Sequence, residues 1–136
     1  MSEQRFTRLK FSLIAILSAA AFFVQAAGPS DSGDARTRAV SALEEDIKTD
    51  PNNAELWLHL GFAYRKLEKI DQAQNAFEKV VALNPGSADP YFMLGLIYES
   101  KHQNAQAGEA WKKYLAAETN PEKRAIAEKH IHHLSQ

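Results

Sequence analysis

The chain of 136 residues contains no cysteine. That absence excludes disulfide staples, thiol catalysis, iron–sulfur clusters and lipid attachment through an N-terminal Cys. Charge of one sign is missing too: 16 Lys and Arg stand against 17 Asp and Glu, a formal net charge of -1. Nucleic acid and anionic membrane surfaces both favour a basic patch or stripe, so neither is expected as a partner. There is no glycine-rich phosphate loop, no nucleophile elbow and no Cys–His pair. Catalysis needs polar groups that converge in a cleft, and the carboxylates here are spread along the chain. The reading is a non-enzyme with no cofactor. What is present is an apolar content of 45%, ordinary for one globular domain.

The stretch 1–27 differs from the rest. "MSEQRFTRLK" carries Arg5, Arg8 and Lys10 against Glu3, and "FSLIAILSAAAFFVQAA" then runs 17 residues without a charge. A basic start, an apolar run and small residues at its end describe a secretory signal peptide over 1–26, with Val24 and Ala26 suiting a break after Ala26. At ~1.5 Å per residue the run reaches roughly 25 Å, short of a ~30 Å hydrocarbon core. Retained, it would tether the chain to the inner membrane; cleaved, it leaves a periplasmic protein. Removing residues 1–26 takes away three basic and one acidic side chain, leaving 13 Lys and Arg against 16 Asp and Glu, a net charge of -3. Residues 27–34, rich in Gly, Pro, Ser and Asp, read as a linker.

The remainder writes one line twice. "WLHLGFAY" at Trp57–Tyr64 returns as "YFMLGLIY" at Tyr91–Tyr98. Trp57 recurs as Tyr91, Leu60 as Leu94, Gly61 as Gly95 and Tyr64 as Tyr98, all at one fixed spacing. Ala54 and Ala88, Ala73 and Ala107, Phe77 and Trp111, and Pro51 and Pro85 keep the same period. Trp57, Leu60, Gly61 and Tyr64 fall on one helical face. Asn53 is placed to cap that helix and Asp71 to cap a second, which carries Ala73, Ala76, Phe77, Val80 and Val81. Pro85 ends it and Gly86 permits the turn. Gly61 and Ala73 are expected to be small because the two antiparallel helices press together there. All these repeated positions read as core.

A period of 34 with this residue set resembles the tetratricopeptide repeat family. Repeat one spans 54–85 and repeat two 88–119. Residues 35–49, where Ala39, Leu43 and Ile47 match the offsets of Ala73, Phe77 and Val81, resemble the second helix of an earlier repeat, a half repeat. Residues 121–134 read as a capping helix: Asn120 precedes it, Pro121 opens it, and Ala127, Ile131 and Leu134 line one face. The expected fold is therefore all-α, a short right-handed α-solenoid of about two helix-turn-helix units flanked by the half repeat and the capping helix.

In this family the first helices line a concave groove that receives peptides or helices. The resemblance places Glu55, Leu58, Phe62, Arg65 and Lys66 in that groove from the first unit, and Asp89, Phe92, Leu96 and Glu99 from the second. Leu58, Phe62, Phe92 and Leu96 make an apolar stripe where a plain solvent face would be polar, as interaction sites do. Relatives that grip acidic C-terminal tails use Lys and Asn where this chain has Leu58 and Phe62. An apolar or amphipathic protein segment is the expected partner instead. "KHIHHL" offers a metal or haem alternative through His130, His132 and His133; two ligands at helical spacing fall short of the three or four that zinc needs. A secretion signal ahead of tandem repeats resembles the helper domains of cytochrome c maturation and outer-membrane assembly. An envelope scaffold or adaptor is the expected function, with a membrane-anchored structural subunit as its rival.

Overall fold

Two Asn side chains fix where helices begin. Asn53 Oδ1 accepts from Glu55 N–H at 3.1 Å, and Asn120 Oδ1 accepts from Glu122 N–H at 2.9 Å and Lys123 N–H at 3.1 Å. Each satisfies donors that the first turn leaves unpaired. In the computed structural model, which describes residues 31–136, six helices follow one another: α1 Asp31–Thr49, α2 Ala54–Lys66, α3 Ile70–Leu83, α4 Ala88–Ser100, α5 Asn104–Ala117 and α6 Pro121–Leu134. The expected export segment 1–26 and residues 27–30 of the expected linker lie outside the described residues. Among the described residues no helix is long and apolar enough to cross a membrane. Ala35–Gln136 pack as one unit.

α2 pairs with α3 and α4 with α5, while α4 also rests on α3 and α6 on α5. The pairing is the all-α solenoid expected from the repeat. One cluster gathers Val40, Ile47, Leu60, Tyr64, Phe77, Leu94 and Ile97; a second gathers Tyr91, Ala107, Trp111, Tyr114 and Ala127. Phe77 and Trp111 have no exposed surface. Phe77 is met by Gly61, and Trp111 by Gly95. The tight contact at Gly61 is thus with the flat ring of Phe77; Ala73, also fully buried, is not among the atoms nearest to it.

The polar tips of the repeated residues are tied off in a repeated way. Trp57 Nε1 donates to Pro51 O at 2.8 Å, and Tyr91 hydroxyl donates to Pro85 O at 3.0 Å. Arg124 donates to Glu118 O at 2.8 Å, again six positions back, and to Leu115 O. α6 therefore holds the place of the first helix of a third unit, with Arg124 standing where Trp57 and Tyr91 stand in the earlier two. Its own face carries Ala127 fully buried, with Ile131 and Leu134 half-buried, as a cap requires. Tyr64 hydroxyl donates to Glu44 and Tyr98 hydroxyl to Glu78 at 2.8 Å, the same contact made by successive units.

Several sequence expectations shift. α1 begins at Asp31, so residues 31–34 are helix rather than linker; Asp near a helix N-terminus favours the dipole. In α1 the buried residues are Val40 and Ile47, while Ala39 is exposed. Asp71 is not the cap of α3: Lys69 holds that position without a side-chain bond, and Asp71 lies in the first turn. Gly86 keeps an ordinary φ, whereas the left-handed residues are Glu68 at 59° and His102 at 57°. Those two occupy matching positions of successive units, each just after a first helix. Glu68 N–H reaches Arg65 O and Lys69 N–H reaches Tyr64 O; His102 N–H reaches Glu99 O and Gln103 N–H reaches Tyr98 O. These paired bonds are the Schellman closure, which needs a left-handed residue at that point.

Candidate functional site

α2 projects Phe62 between two clefts. One, of about 480 Å³, is lined by Arg36 and Ala39 of α1 and by His59, Phe62, Ala63 and Lys66 of α2. The other, of about 310 Å³, is lined by Phe62, by Asp89, Phe92 and Met93 of α4, by Tyr114 of α5 and by Lys123 of α6. His59, Phe62, Ala63 and Lys66 meet on one side of α2 because residues three, four and seven apart share a helical face. Phe62 stands edge-on to Phe77 with centroids 5.3 Å apart. Phe92 stands edge-on to Trp111 at 5.3 Å and tilts against Tyr114 at 5.4 Å. Both rings are half-buried, supported from beneath by core aromatics. Such packing holds an aromatic in one orientation before any partner arrives.

Of the nine groove residues expected from the sequence, these clefts bring together Phe62, Lys66, Asp89 and Phe92. Leu58 and Leu96 are half-buried against the core clusters and line neither cleft. Glu55 and Arg65 are exposed and line neither. Glu99 is engaged inside the fold: its Oε1 accepts from Trp111 Nε1 at 2.7 Å and lies 2.9 Å from His130 Nδ1. His130 stacks on Trp111 with centroids 4.4 Å apart. The first unit has no counterpart to this trio, since Phe77 and Arg65 stand where Trp111 and Glu99 do.

Arg36 and Ala39 enter the site from α1, Met93 from α4, Tyr114 from α5 and Lys123 from α6, and none of them is among the groove residues expected from the sequence. His59 was legible as the i−3 neighbour of Phe62. Of the three candidate metal histidines, His130 meets Glu99, His132 meets Gln136 at 2.9 Å, and His133 lines a cleft with Glu99 and His102. Among the described residues no three His, Asp or Glu side chains converge as a metal site would need.

Comparison with known proteins follows the same lines. A Tetratricopeptide repeat profile matches residues 54–87, and a second Tetratricopeptide repeat profile matches residues 76–110. No curated protein sequence matches the chain. The crystal structure of MamA is similar at 25% identity and TM-score 0.66, over 77% of this chain and 56% of that one. The chain thus spans little more than half of MamA. The tetratricopeptide domain of Arabidopsis OM64 is similar at 22% identity and TM-score 0.65, over 76% of this chain and 86% of that one. The first such domain of Spaghetti (RPAP3), bound to the HSP90 peptide SRMEEVD, is similar at 21% identity and TM-score 0.65, over 79% and 88%. Likeness at 21–22% identity shows the fold. Helix pairs of fixed period, glycines set on aromatic rings and the two profile matches agree: the chain belongs to the tetratricopeptide repeat family and has the build of a protein–protein interaction scaffold.

Proposed function

We propose that the protein is an exported bacterial adaptor that holds an amphipathic segment of a partner protein across Phe62 and Phe92. The observation that carries this reading is the pair of half-buried rings opening onto adjoining clefts, with Phe62 a wall of both. Rings fixed by a core yet open to one side are the anchors that binding surfaces favour, because little rotamer freedom is lost on contact. The fold likeness to a domain that holds a peptide supports the reading by analogy. Export rests on residues 1–26, and a role in assembling an envelope complex, such as cytochrome c maturation, rests on the family resemblance.

Photo-crosslinking in native envelopes tests it. A crosslinking residue at position 62 or 92 should capture the same partner. One at Lys79, exposed on α3, should capture nothing. Capture from position 79 alone, or from none of the three, would sink the reading. N-terminal sequencing of the same material separates a periplasmic product, beginning at Ala27, from one tethered through the retained segment.

A further inference from the structure

We propose that the held segment is apolar at its centre and acidic toward both ends; this rests on the adaptor reading and adds the sign of the partner's charge. The clefts are lined by Arg36 and Lys66 on the α1–α2 side and by Lys123 of α6 on the other. Among the described residues Asp89 is the one acidic side chain in either lining. With His neutral, three cations against one carboxylate oppose the net charge of -3 carried by residues 27–136. A cationic lining on an acidic chain is a local arrangement, not a reflection of composition.

Carboxylates of the chain itself take up some cations of the fold and engage those of the clefts little or not at all. Lys48, Lys101 and Lys112 pair with Glu45, Asp71 and Glu109 at 2.6, 2.5 and 2.9 Å. Arg36 and Lys66 have no ion pair among the described residues, and Lys123 approaches Glu118 only to 3.7 Å with its side chain 59% exposed. An unpaired ammonium or guanidinium beside an apolar floor is available to a partner's carboxylate. Phe62 is the wall that the two clefts share, with Arg36 and Lys66 in one of them and Phe92 and Lys123 in the other. Asp89, three positions before Phe92 on α4, breaks the positive lining where the floor is aromatic. An occupant with carboxylates flanking an apolar middle matches this arrangement; one with a cationic end would meet like charge, which specificity exploits.

The test uses the full chain and three labelled amphipathic peptides that share one apolar face and carry Glu, Gln or Lys in both flanks. Fluorescence anisotropy at low salt should show the Glu-flanked peptide binding about tenfold tighter than the Lys-flanked one, with the gap closing as salt rises. Replacing Arg36, Lys66 and Lys123 together by Gln should erase that preference, bringing the Glu-flanked and Lys-flanked affinities together, with helix content checked by circular dichroism. Equal binding of all three peptides, weakened alike by Phe62→Leu, would overturn the charge assignment and leave the adaptor reading standing. Binding of none of the three would overturn the adaptor reading itself. Binding of anionic phospholipid vesicles through the same three cations, with the peptides ignored, would assign the face to a membrane surface and overturn the proposal.

Discussion

Gly61 lies against the ring of Phe77 so closely that a Cβ there would sit 2.7 Å from Cε1 and 2.9 Å from Cδ1 and Cζ. One unit later, a Cβ on Gly95 would sit 2.6 Å from Trp111 Cε2. The glycines serve by what they leave out, and the rings behind them have no solvent side into which to retreat. Gly61→Leu should therefore cost about 1–3 kcal/mol through overpacking, and Gly95→Ala should cost within the same range. Solenoid stability is a sum of local interfaces, so a stack this short has few neighbours to absorb the loss. Urea unfolding followed by circular dichroism measures it. If Gly61→Leu unfolds at the wild-type midpoint, the crossing is not tight.

Glu68 and His102 offer the opposite change. Each holds a left-handed φ in the Schellman closure after a first helix, and neither has a Cβ-free backbone to suit it. That conformation costs an L-residue roughly 1–2 kcal/mol, against about 0.5–1 kcal/mol for glycine's extra chain entropy. Glu68→Gly and His102→Gly should each stabilise the fold by about 0.5–1 kcal/mol, raising the melting temperature by a few degrees. A lower melting temperature in both would show that the Glu68 and His102 side chains contribute more than the strain removes.

How legible the fold was follows from where its signals lie. The repeat showed because core positions need particular shapes: a glycine against an aromatic ring, an aromatic whose polar tip can reach a carbonyl six positions back. Arg124 makes that same bond with a charged side chain, so residue type concealed the third unit and α6 read only as a cap. The Schellman turns were hidden because Glu68 and His102 are not glycines, while Gly86 drew attention to a turn that does not use its freedom. At the candidate site, Phe62 and Phe92 stand out in the sequence because a solvent face has no use for two aromatics. Arg36 and Lys123 were not, because their place beside those rings depends on how separate helices stack. Glu99 was misjudged as free for a partner: its helical position is a groove position, and only the fold shows Trp111 and His130 holding it.

Alkaline pH should loosen the stack. Burial, then the hydrogen bonds to Glu44 and Glu78, push the Tyr64 and Tyr98 hydroxyls up to about 12 from an ordinary 10.0. A pKa raised in the folded state stabilises it fully below the unfolded value and ceases to do so as pH climbs through the folded one. These contributions should hold to about pH 10 and fade by about pH 12. Tyr64→Phe with Tyr98→Phe removes both hydroxyls and should flatten that part of the stability profile, at a cost near neutrality on the order of 1 kcal/mol per bond. An unchanged loss of stability across pH 10–12 in the double variant would assign alkaline sensitivity to other groups.

Phe62 and Phe92 serve both the core and the candidate site, and truncating them should show both roles. Each is half-buried, so Phe→Ala should cost less than the ~3–5 kcal/mol of a fully buried ring. Phe92 touches two core rings, Trp111 and Tyr114, whereas Phe62 has one such contact, Phe77. Aromatic pairs contribute about 0.5–1.5 kcal/mol beyond area burial, so Phe92→Ala should destabilise more than Phe62→Ala by about that amount. Binding should follow a different order. Phe62 faces both clefts and Phe92 only one, so loss of Phe62 should weaken a bound segment more, by ~2 kcal/mol or above if it is an anchor. Stability and affinity would then rank the two substitutions oppositely. Chemical denaturation and anisotropy titration on the same preparations measure both, below the melting transition of either variant. If Phe92→Ala is worse by both measures, the affinity losses follow destabilisation and Phe62 is not the anchor.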